Sequence, residues 1–266
     1  MTDSVRAVAF DLDDTLAVSK SRIDDRMAEL LARLLGAVDV CIISGGRFEQ
    51  FDSQVLQHLN ADADALASLH LMPTCGTRYY RWGGDGWQLV YAEDLAEPDK
   101  RRIIAVLEQG AKELGFWTET AWGERIEDRG SQITYSALGQ QAPPAAKYEW
   151  DPDNSKKQQL RAYAAERLPD LEVRVGGSTS VDVTRKGIDK AYGMRKLMAQ
   201  LGLAADEILF VGDRLEPGGN DYPVRAVGVR WVEVGRWQDT ADYVERILAR
   251  AAESGDSSRL EVPARL

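Results

Sequence analysis

Two carboxylates stand two residues apart where an apolar run ends, in Val8-Ala9-Phe10-Asp11-Leu12-Asp13-Asp14-Thr15-Leu16. Residues i and i+2 of extended backbone point to one side. Asp11 and Asp13 can therefore face the same small volume, one as a nucleophile on phosphorus and the other as proton donor to a leaving oxygen. A metal ion usually completes such a pair. A solvated strand end is the plainer reading of two acids taken alone, and the rest of the chain weighs against it. A calcium loop fails on spacing: with Asp11 as the first position, Leu16 stands where glycine is needed and Arg22 where a bidentate glutamate is needed. Neither a dinucleotide fingerprint nor a P-loop follows this strand.

Three further segments carry matching chemistry. Val40-Cys41-Ile42-Ile43-Ser44-Gly45-Gly46-Arg47 is a β-branched run that ends in a hydroxyl and two glycines before a helix expected over Phe48 to Leu56. Backbone N–H groups of Gly45 and Gly46 and the Ser44 hydroxyl can approach a phosphate there, although glycine at a strand-to-helix turn needs no ligand to explain it. Lys190 opens a helix expected to reach Leu201, with Met194, Leu197 and Leu201 on one face, and could meet an anion. A solvated lysine is the commoner fate of that residue type. Finally, the strand Ile208 to Gly212 stops at Asp213, and its loop ends in Asn220-Asp221. Asp213 follows its strand as Asp11 follows its own, so two strands ending in carboxylates at one sheet edge would offer an oxygen-rich site suited to Mg²⁺. Two histidines and two cysteines in the whole chain speak against a zinc-type site.

In this order the four segments resemble the signature of the haloacid dehalogenase superfamily of phosphotransferases: D-x-D-x-T, then Ser or Thr, then Lys, then an acidic loop. The resemblance implies an aspartyl-phosphate intermediate on Asp11, acid and base work by Asp13, and phosphate contacts from Ser44 and Lys190. It also implies Mg²⁺ on Asp11, the Asp13 carbonyl and Asp213, with Asp221 as ligand or support.

The interval between Ser44 and Lys190 does not continue the βα pattern. From about Trp82 to Thr184 it alternates strand-like runs (Trp87 to Ala92, Gln132 to Ala137, Glu172 to Val175, Ser180 to Thr184) with helical ones (Pro98 to Leu114, Asn154 to Leu168). The expected fold is α/β: a doubly wound parallel-sheet (Rossmannoid) core, residues 1–81 and 185–266, with an inserted α+β domain at 82–184. An insertion at this place resembles the C2-capped, type IIB branch, whose cap lies over the phosphate site and selects the substrate. Detail points toward the eukaryotic-type phosphomannomutases within it. The run Gly212-Asp213-Arg214-Leu215-Glu216-Pro217-Gly218-Gly219-Asn220-Asp221 is similar to their G-D-K-T-x-P-G-G-N-D, and Gly176 to Val183 is similar to their G-G-x-x-S-x-D-V, in which Ser180 and Asp182 would hold the sugar. Arg129-Gly130 followed by Ser136-Ala137-Leu138-Gly139 resembles the strand whose arginine grips a distal phosphate.

Departures from that pattern favour hydrolysis. Gln140 and Lys147 stand where those mutases carry arginine, the basic residue soon after D-x-D-x-T is Lys20 rather than arginine, and Asp14 replaces a glycine. Fewer planar, bidentate guanidinium groups weaken the hold on a second phosphate that a mutase must present in two orientations. The expected activity is thus a Mg²⁺-dependent phosphohydrolase of a sugar phosphate or similar small phosphomonoester. Phosphomannomutase is the alternative, and a receiver-like or silent phosphate-sensing module is the remoter one, although a receiver would be far shorter.

At 266 residues and 44% hydrophobic the chain can fill a core in each of two domains. A net charge of −10 argues against a nucleic-acid surface, so Mg²⁺, Lys190 and cap bases must supply local positive charge. There is no membrane-length apolar run and no signal-peptide pattern, and a cytoplasmic protein is expected. Cys41 reads as core and Cys75 as near a turn, without a structural disulfide. The stretch from about Glu253 to Leu266 reads as frayed. Five of the seven tryptophans (Trp82, Trp87, Trp117, Trp122, Trp150) fall in the insertion. They are expected to pack its core, with a homodimer through the cap as the sharper alternative.

Overall fold

The computed structural model describes residues 4–176, 179–254 and 260–262. In chain order the first part contains β1 (Ser4–Val5), β2 (Ala7–Phe10), α1 (Asp25–Leu35), β3 (Asp39–Ile43), α2 (Phe48–Gln54), α3 (Ala63–Leu66), β4 (Leu69–Met72), β5 (Arg78–Trp82) and β6 (Trp87–Ala92). The insertion holds α4 (Glu97–Glu113), β7 (Ile126–Asp128), β8 (Gln132–Ser136), α5 (Pro144–Trp150), α6 (Ser155–Arg167), β9 (Leu171–Val175) and β10 (Ser180–Arg185). The chain then returns through α7 (Lys190–Leu201), β11 (Ile208–Gly212), β12 (Arg230–Glu233), α8 (Trp237–Ser254) and β13 (Leu260–Glu261).

A seven-stranded sheet in the order β12-β11-β2-β3-β4-β5-β6 forms the first unit. The pairings from β12 through β4 are parallel, and β5 turns back antiparallel on β4. Strands buried on both faces need apolar residues at every position rather than at alternate ones. Accordingly β2 (Ala-Val-Ala-Phe) and β11 (Ile-Leu-Phe-Val-Gly) are buried throughout. Val8, Phe10, Val40, Ile42, Leu209 and Val211 face one layer, with Met27, Leu31 and Leu34 of α1 and Tyr243, Val244 and Ile247 of α8. Ala7, Ala9, Cys41, Ile43, Ile208 and Phe210 face the other, with Met194 and Leu197 of α7. Helix α1 begins at Asp24, whose carboxylate accepts from the Arg26 N–H at 3.0 Å. Its Met27, Leu30, Leu31, Leu34 and Leu35 recur at helical spacing and are all buried, each side chain stabilising the layer by about 1.5–3 kcal/mol.

The second unit has its own four-stranded antiparallel sheet, β7-β8-β10-β9. Period-two alternation sorts its faces. Ile133, Tyr135, Val173, Val181 and Val183 pack on Ile103 and Leu107 of α4 and Leu160 and Ala164 of α6. Gln132, Thr134 and Ser136 of β8, paired with Thr184, Asp182 and Ser180 of β10, make the opposite face polar.

The doubly wound core and the α+β insertion match the expected fold class, but the limits differ. The compact units are Met1–Tyr91 with Asp189–Leu266, and Ala92–Ile188. Strand β6, expected in an insertion that begins at 82, extends the core sheet beside β5 instead, and Trp82 and Trp87 pack edge to face at 5.5 Å. In the second unit Trp117 stacks on Tyr135 and Trp150 meets Phe116 edge-on, whereas Trp122 is exposed. The chain's end also differs from expectation. Helix α8 continues to Ser254, and Leu260–Glu261 pair antiparallel with Ser4–Val5, burying Leu260 and Val262. The rest of that stretch lies outside the described residues. Cys41 and Cys75 are free thiols. Among the described residues no helix is long and apolar enough to cross a membrane.

Candidate active site

Strands β2 and β11 are parallel neighbours with Phe10 opposite Val211, and each ends one residue before an aspartate, Asp11 and Asp213. The strands that follow β2 in sequence lie on one side of it and β11 and β12 on the other, so the winding reverses between these two strands. Loops diverge at such a reversal and leave a crevice at the carboxyl ends of the strands. The Asp11 N–H donates to the Val211 carbonyl at 3.0 Å, holding this aspartate as the last member of the ladder.

Lys190 enters the same place as the first residue of α7, whose start is fixed by Asp189 accepting from the Tyr192 N–H at 2.8 Å. The lysine ammonium donates to both Asp11 and Asp221. Exposure is 3% for Asp11, 1% for Lys190 and 0% for Asp221, so these charges meet away from solvent. The second oxygen of Asp221 accepts from the Arg214 N–H at 3.2 Å. A Cβ on Gly212 would lie 2.4 Å from that oxygen, so a glycine at the strand end is what lets Asp221 reach it. Thr15 Oγ1 lies 3.5 Å from both Asp11 Oδ2 and Asp213 Oδ1.

Burial pushes the Asp11 carboxyl well above its ordinary range, against the pull of Lys190 and with a further push from Asp221. Asp213 is also raised, by burial and then by Asp221. Burial acts to lower Lys190, but the two carboxylates it bonds outweigh that and hold its ammonium protonated. Carboxylate oxygens of Asp11, Asp213 and Asp221 lie within 4.8 Å of one another. Three carboxylates against one ammonium leave two negative charges uncompensated, which is costly in a buried site. The donor set is therefore hard, oxygen-only and matched in charge to a small divalent cation, and it fits Mg²⁺.

Asp13, two residues after Asp11, has both oxygens engaged. The Lys20 N–H and Gln54 Nε2 donate to Oδ1 at 2.7 and 3.3 Å, and Gln50 Nε2 donates to Oδ2 at 3.0 Å. Neither glutamine was marked by the sequence, although they stand four apart on the helix after the Ser44 turn and so share a face. Asp14 has φ 63°, which explains the glycine in the resembling pattern. Aspartate tolerates the left-handed region better than most residues, and here its carboxylate accepts from the Ser19 N–H at 3.1 Å. The Lys20 side chain is exposed.

Ser44 is buried at the end of β3, next to β2 in the sheet, and its hydroxyl accepts from the Gly46 N–H at 3.3 Å. The loop is tied to the segment after β4: the Thr74 N–H donates to the Gly46 carbonyl at 2.9 Å and the Cys75 N–H to the Ser44 carbonyl at 2.9 Å. Thr74, Cys75 and Gly76 all have positive φ (49°, 55° and 83°), and a Cβ on Gly76 would come within 2.6 Å of Gly193 Cα in α7. The helix that carries Lys190 and the loop that carries Ser44 therefore rest on one tight left-handed turn. Asn220 is exposed on the loop before Asp221.

In the second unit, Asp182 accepts from Thr134 Oγ1 at 2.7 Å, and Ser180 is paired with Ser136 across the sheet. Arg129, expected to grip a distal phosphate, forms an ion pair with Glu127 at 2.6 Å, a partner the sequence reading did not foresee. Lys147 donates to the Gln140 carbonyl at 3.3 Å, and the Gln140 side-chain nitrogen is buried with no hydrogen-bond partner among the described residues. Gly177 and Ser178 of the G-G-x-x-S-x-D-V run lie outside the described residues.

The haloacid dehalogenase-like hydrolase family pattern matches residues 8–223. A probable phosphomannomutase of Caenorhabditis elegans is 26% identical over 253 residues, covering 91% of this chain and 94% of the relative. The phosphomannomutase of Encephalitozoon cuniculi is 24% identical over 252 residues, covering 92% and 94%. Among solved structures, the IMP-bound, N-terminally truncated IMP-nucleotidase of Plasmodium falciparum superposes with a TM-score of 0.66 at 14% identity, over 92% of this chain and 68% of that one, a likeness of fold.

Proposed function

The chain belongs to the haloacid dehalogenase-like hydrolases, and on that premise we propose that it is a Mg²⁺-dependent phosphohydrolase of a sugar phosphate or similar small phosphomonoester, working through an aspartyl-phosphate on Asp11. The observation that carries this reading is the convergence of Asp11, Lys190, Asp213 and Asp221 at the reversal of the sheet, with Asp13 held two residues beyond the nucleophile. The Asp11 carboxylate adds to phosphorus while the bond to the leaving oxygen breaks. That oxygen keeps the electron pair and takes a proton from Asp13. Water then adds to phosphorus, Asp13 takes a proton back, and the pair of the phosphorus bond returns to Asp11 as inorganic phosphate leaves. Lys190, Ser44 and the N–H groups of Gly45 and Gly46 would receive phosphate oxygens. Asp11, Asp213 and Asp221, with the Asp13 carbonyl, would hold Mg²⁺, which when bound supplies the positive charge that keeps Asp11 ionised and draws negative charge off the phosphoryl oxygens. The second unit, with Ser180, Asp182, Arg129, Lys147 and Lys20 of the core loop as candidates, would select the substrate.

Three observations bear on hydrolase against mutase. The full-length likeness to proteins named phosphomannomutase supports a mutase. The pairing of Arg129 with Glu127 and an uncharged amide at Gln140 support a hydrolase, because the hold on a second phosphate is weakened. Incubation with mannose 1-phosphate, mannose 6-phosphate and Mg²⁺, with and without a hexose bisphosphate, is expected to release free phosphate faster than the two isomers interconvert. Efficient interconversion with negligible free phosphate would establish the mutase instead.

The metal assignment has its own test. Asp213→Ala is expected to raise the Mg²⁺ concentration for half-maximal rate by about tenfold or more, while KM for the phosphate ester moves far less. EDTA should silence the wild type, and full activity in chelator would refute the assignment.

A further inference from the structure

We propose that Gln50 is a positioning residue for Asp13, its carboxamide holding the carboxylate in place for the proton transfers to and from the reacting oxygens; this rests on the phosphatase reading above. Two observations support it. Gln50 is the one donor to Asp13 Oδ2 among the described residues, at 3.0 Å, while Lys20 and Gln54 share Oδ1. The carboxylate is therefore gripped from two sides, and loss of Gln50 frees one of them. Second, the amide has a place made for it. A Cβ on Gly46 would lie 2.2 Å from Gln50 Oε1 and 2.7 Å from Cδ. Gly46 has no left-handed φ to demand glycine, and a Cβ on the adjacent Gly45 would meet nothing within 4 Å. The Gln50 amide thus lies in the space that a side chain at Gly46 would otherwise share.

The chemistry of the side chain suits the task. Asp13 must be a donor in the first half of the reaction and an acceptor in the second. A carboxamide has a donor end and an acceptor end, so by turning its amide over Gln50 can present N–H to the carboxylate and C=O to the protonated acid. Gln54 is differently placed. Its nitrogen also donates to the Ser21 carbonyl at 2.7 Å, which commits that end, and its oxygen is buried with no partner among the described residues.

The test uses two phosphate esters of similar shape whose leaving oxygens differ in their need for a proton: phenyl phosphate, which needs it, and p-nitrophenyl phosphate, whose phenolate leaves readily without one. Release of the phenol is followed over the first turnover in Mg²⁺. Because positioned acid catalysis contributes about 10²–10⁴-fold, Gln50→Met should slow phenyl phosphate by about tenfold or more and p-nitrophenyl phosphate by less than about twofold, with both KM values near wild type. Gln50→Ala should give the same split, and it serves if Gln50→Met does not fold. Equal losses on both esters, or none on phenyl phosphate, would overturn the positioning role. A wild type that releases neither phenol would overturn the phosphatase reading itself, a result distinct from an equal loss in an active enzyme.

Discussion

Asp11→Asn is expected to fold and to retain less than about one part in a thousand of wild-type turnover, a loss of the size seen when a covalent nucleophile is removed. Phosphate monoesters are among the slowest substrates to react unaided, so little background rate hides the effect. Asparagine keeps the shape of the side chain and can still accept from Lys190, but it is a far poorer nucleophile. Its effect on stability should run the other way from its effect on activity. Asp11 is buried against Asp221 and Asp213, and burial holds its carboxyl well above the ordinary range, so the native state carries an electrostatic cost in the charged form. Removing that charge should leave the thermal midpoint without Mg²⁺ no lower than that of the wild type. Addition of Mg²⁺ should raise the midpoint of the wild type more than that of the variant, since one acidic ligand has gone. Residual turnover of more than a few per cent in pure protein would sink the covalent mechanism. A much lower midpoint would show that the Asp11 charge stabilises the fold instead of straining it.

What the sequence made legible here followed from short range. Asp11 and Asp13 could be paired because a strand's period is two, and Asp213 could be matched to Asp11 because both end buried apolar strands. Lys190 was marked as a helix start, and the structure puts it at the first helical position. Contacts that depend on tertiary approach were not legible. Gln50 and Gln54 reach Asp13 only because α2 follows the strand beside β2. The pair of Glu127 with Arg129 is different, a local contact between residues two apart that no motif announces. The run Trp87 to Ala92 reads as part of the insertion because a strand's sequence does not say which sheet it will extend. In the structure Trp87 and Tyr80 lie against the core cluster of the first unit. Leu260 and Val262 were overlooked for a related reason: a two-residue strand at the end of a polar stretch carries no periodicity at all.

Lys190→Met should be the most damaging substitution for stability in this site, and its response to pH and metal tests the electrostatic account. The lysine is fully buried and bonded to Asp11 and Asp221. Removing one partner of a buried ion pair costs about 3–5 kcal/mol because the remaining charge is stranded. At the usual scaling for a chain of this size, that is a fall of about 10 °C in thermal midpoint. Methionine fills similar space, so a cavity does not account for the loss. Without the ammonium, Asp11 and Asp213 lose its pull and are pushed further up. An acid with a raised native pKa binds more protons folded than unfolded, so its deficit appears as pH rises through the native value and fades as pH falls toward the ordinary carboxylate range. The gap between wild type and variant should therefore be widest near neutral pH and narrow under mildly acidic conditions. Mg²⁺ should narrow it too, because a dication among Asp11, Asp213 and Asp221 supplies charge that the lysine no longer does, and it should raise the variant's midpoint more than the wild type's. Turnover would stay low in either case, since the phosphate would have lost its ammonium contact. A variant as stable as the wild type at neutral pH, or one whose deficit does not change with pH or Mg²⁺, would show that Lys190 is held by packing and not by the carboxylates around it.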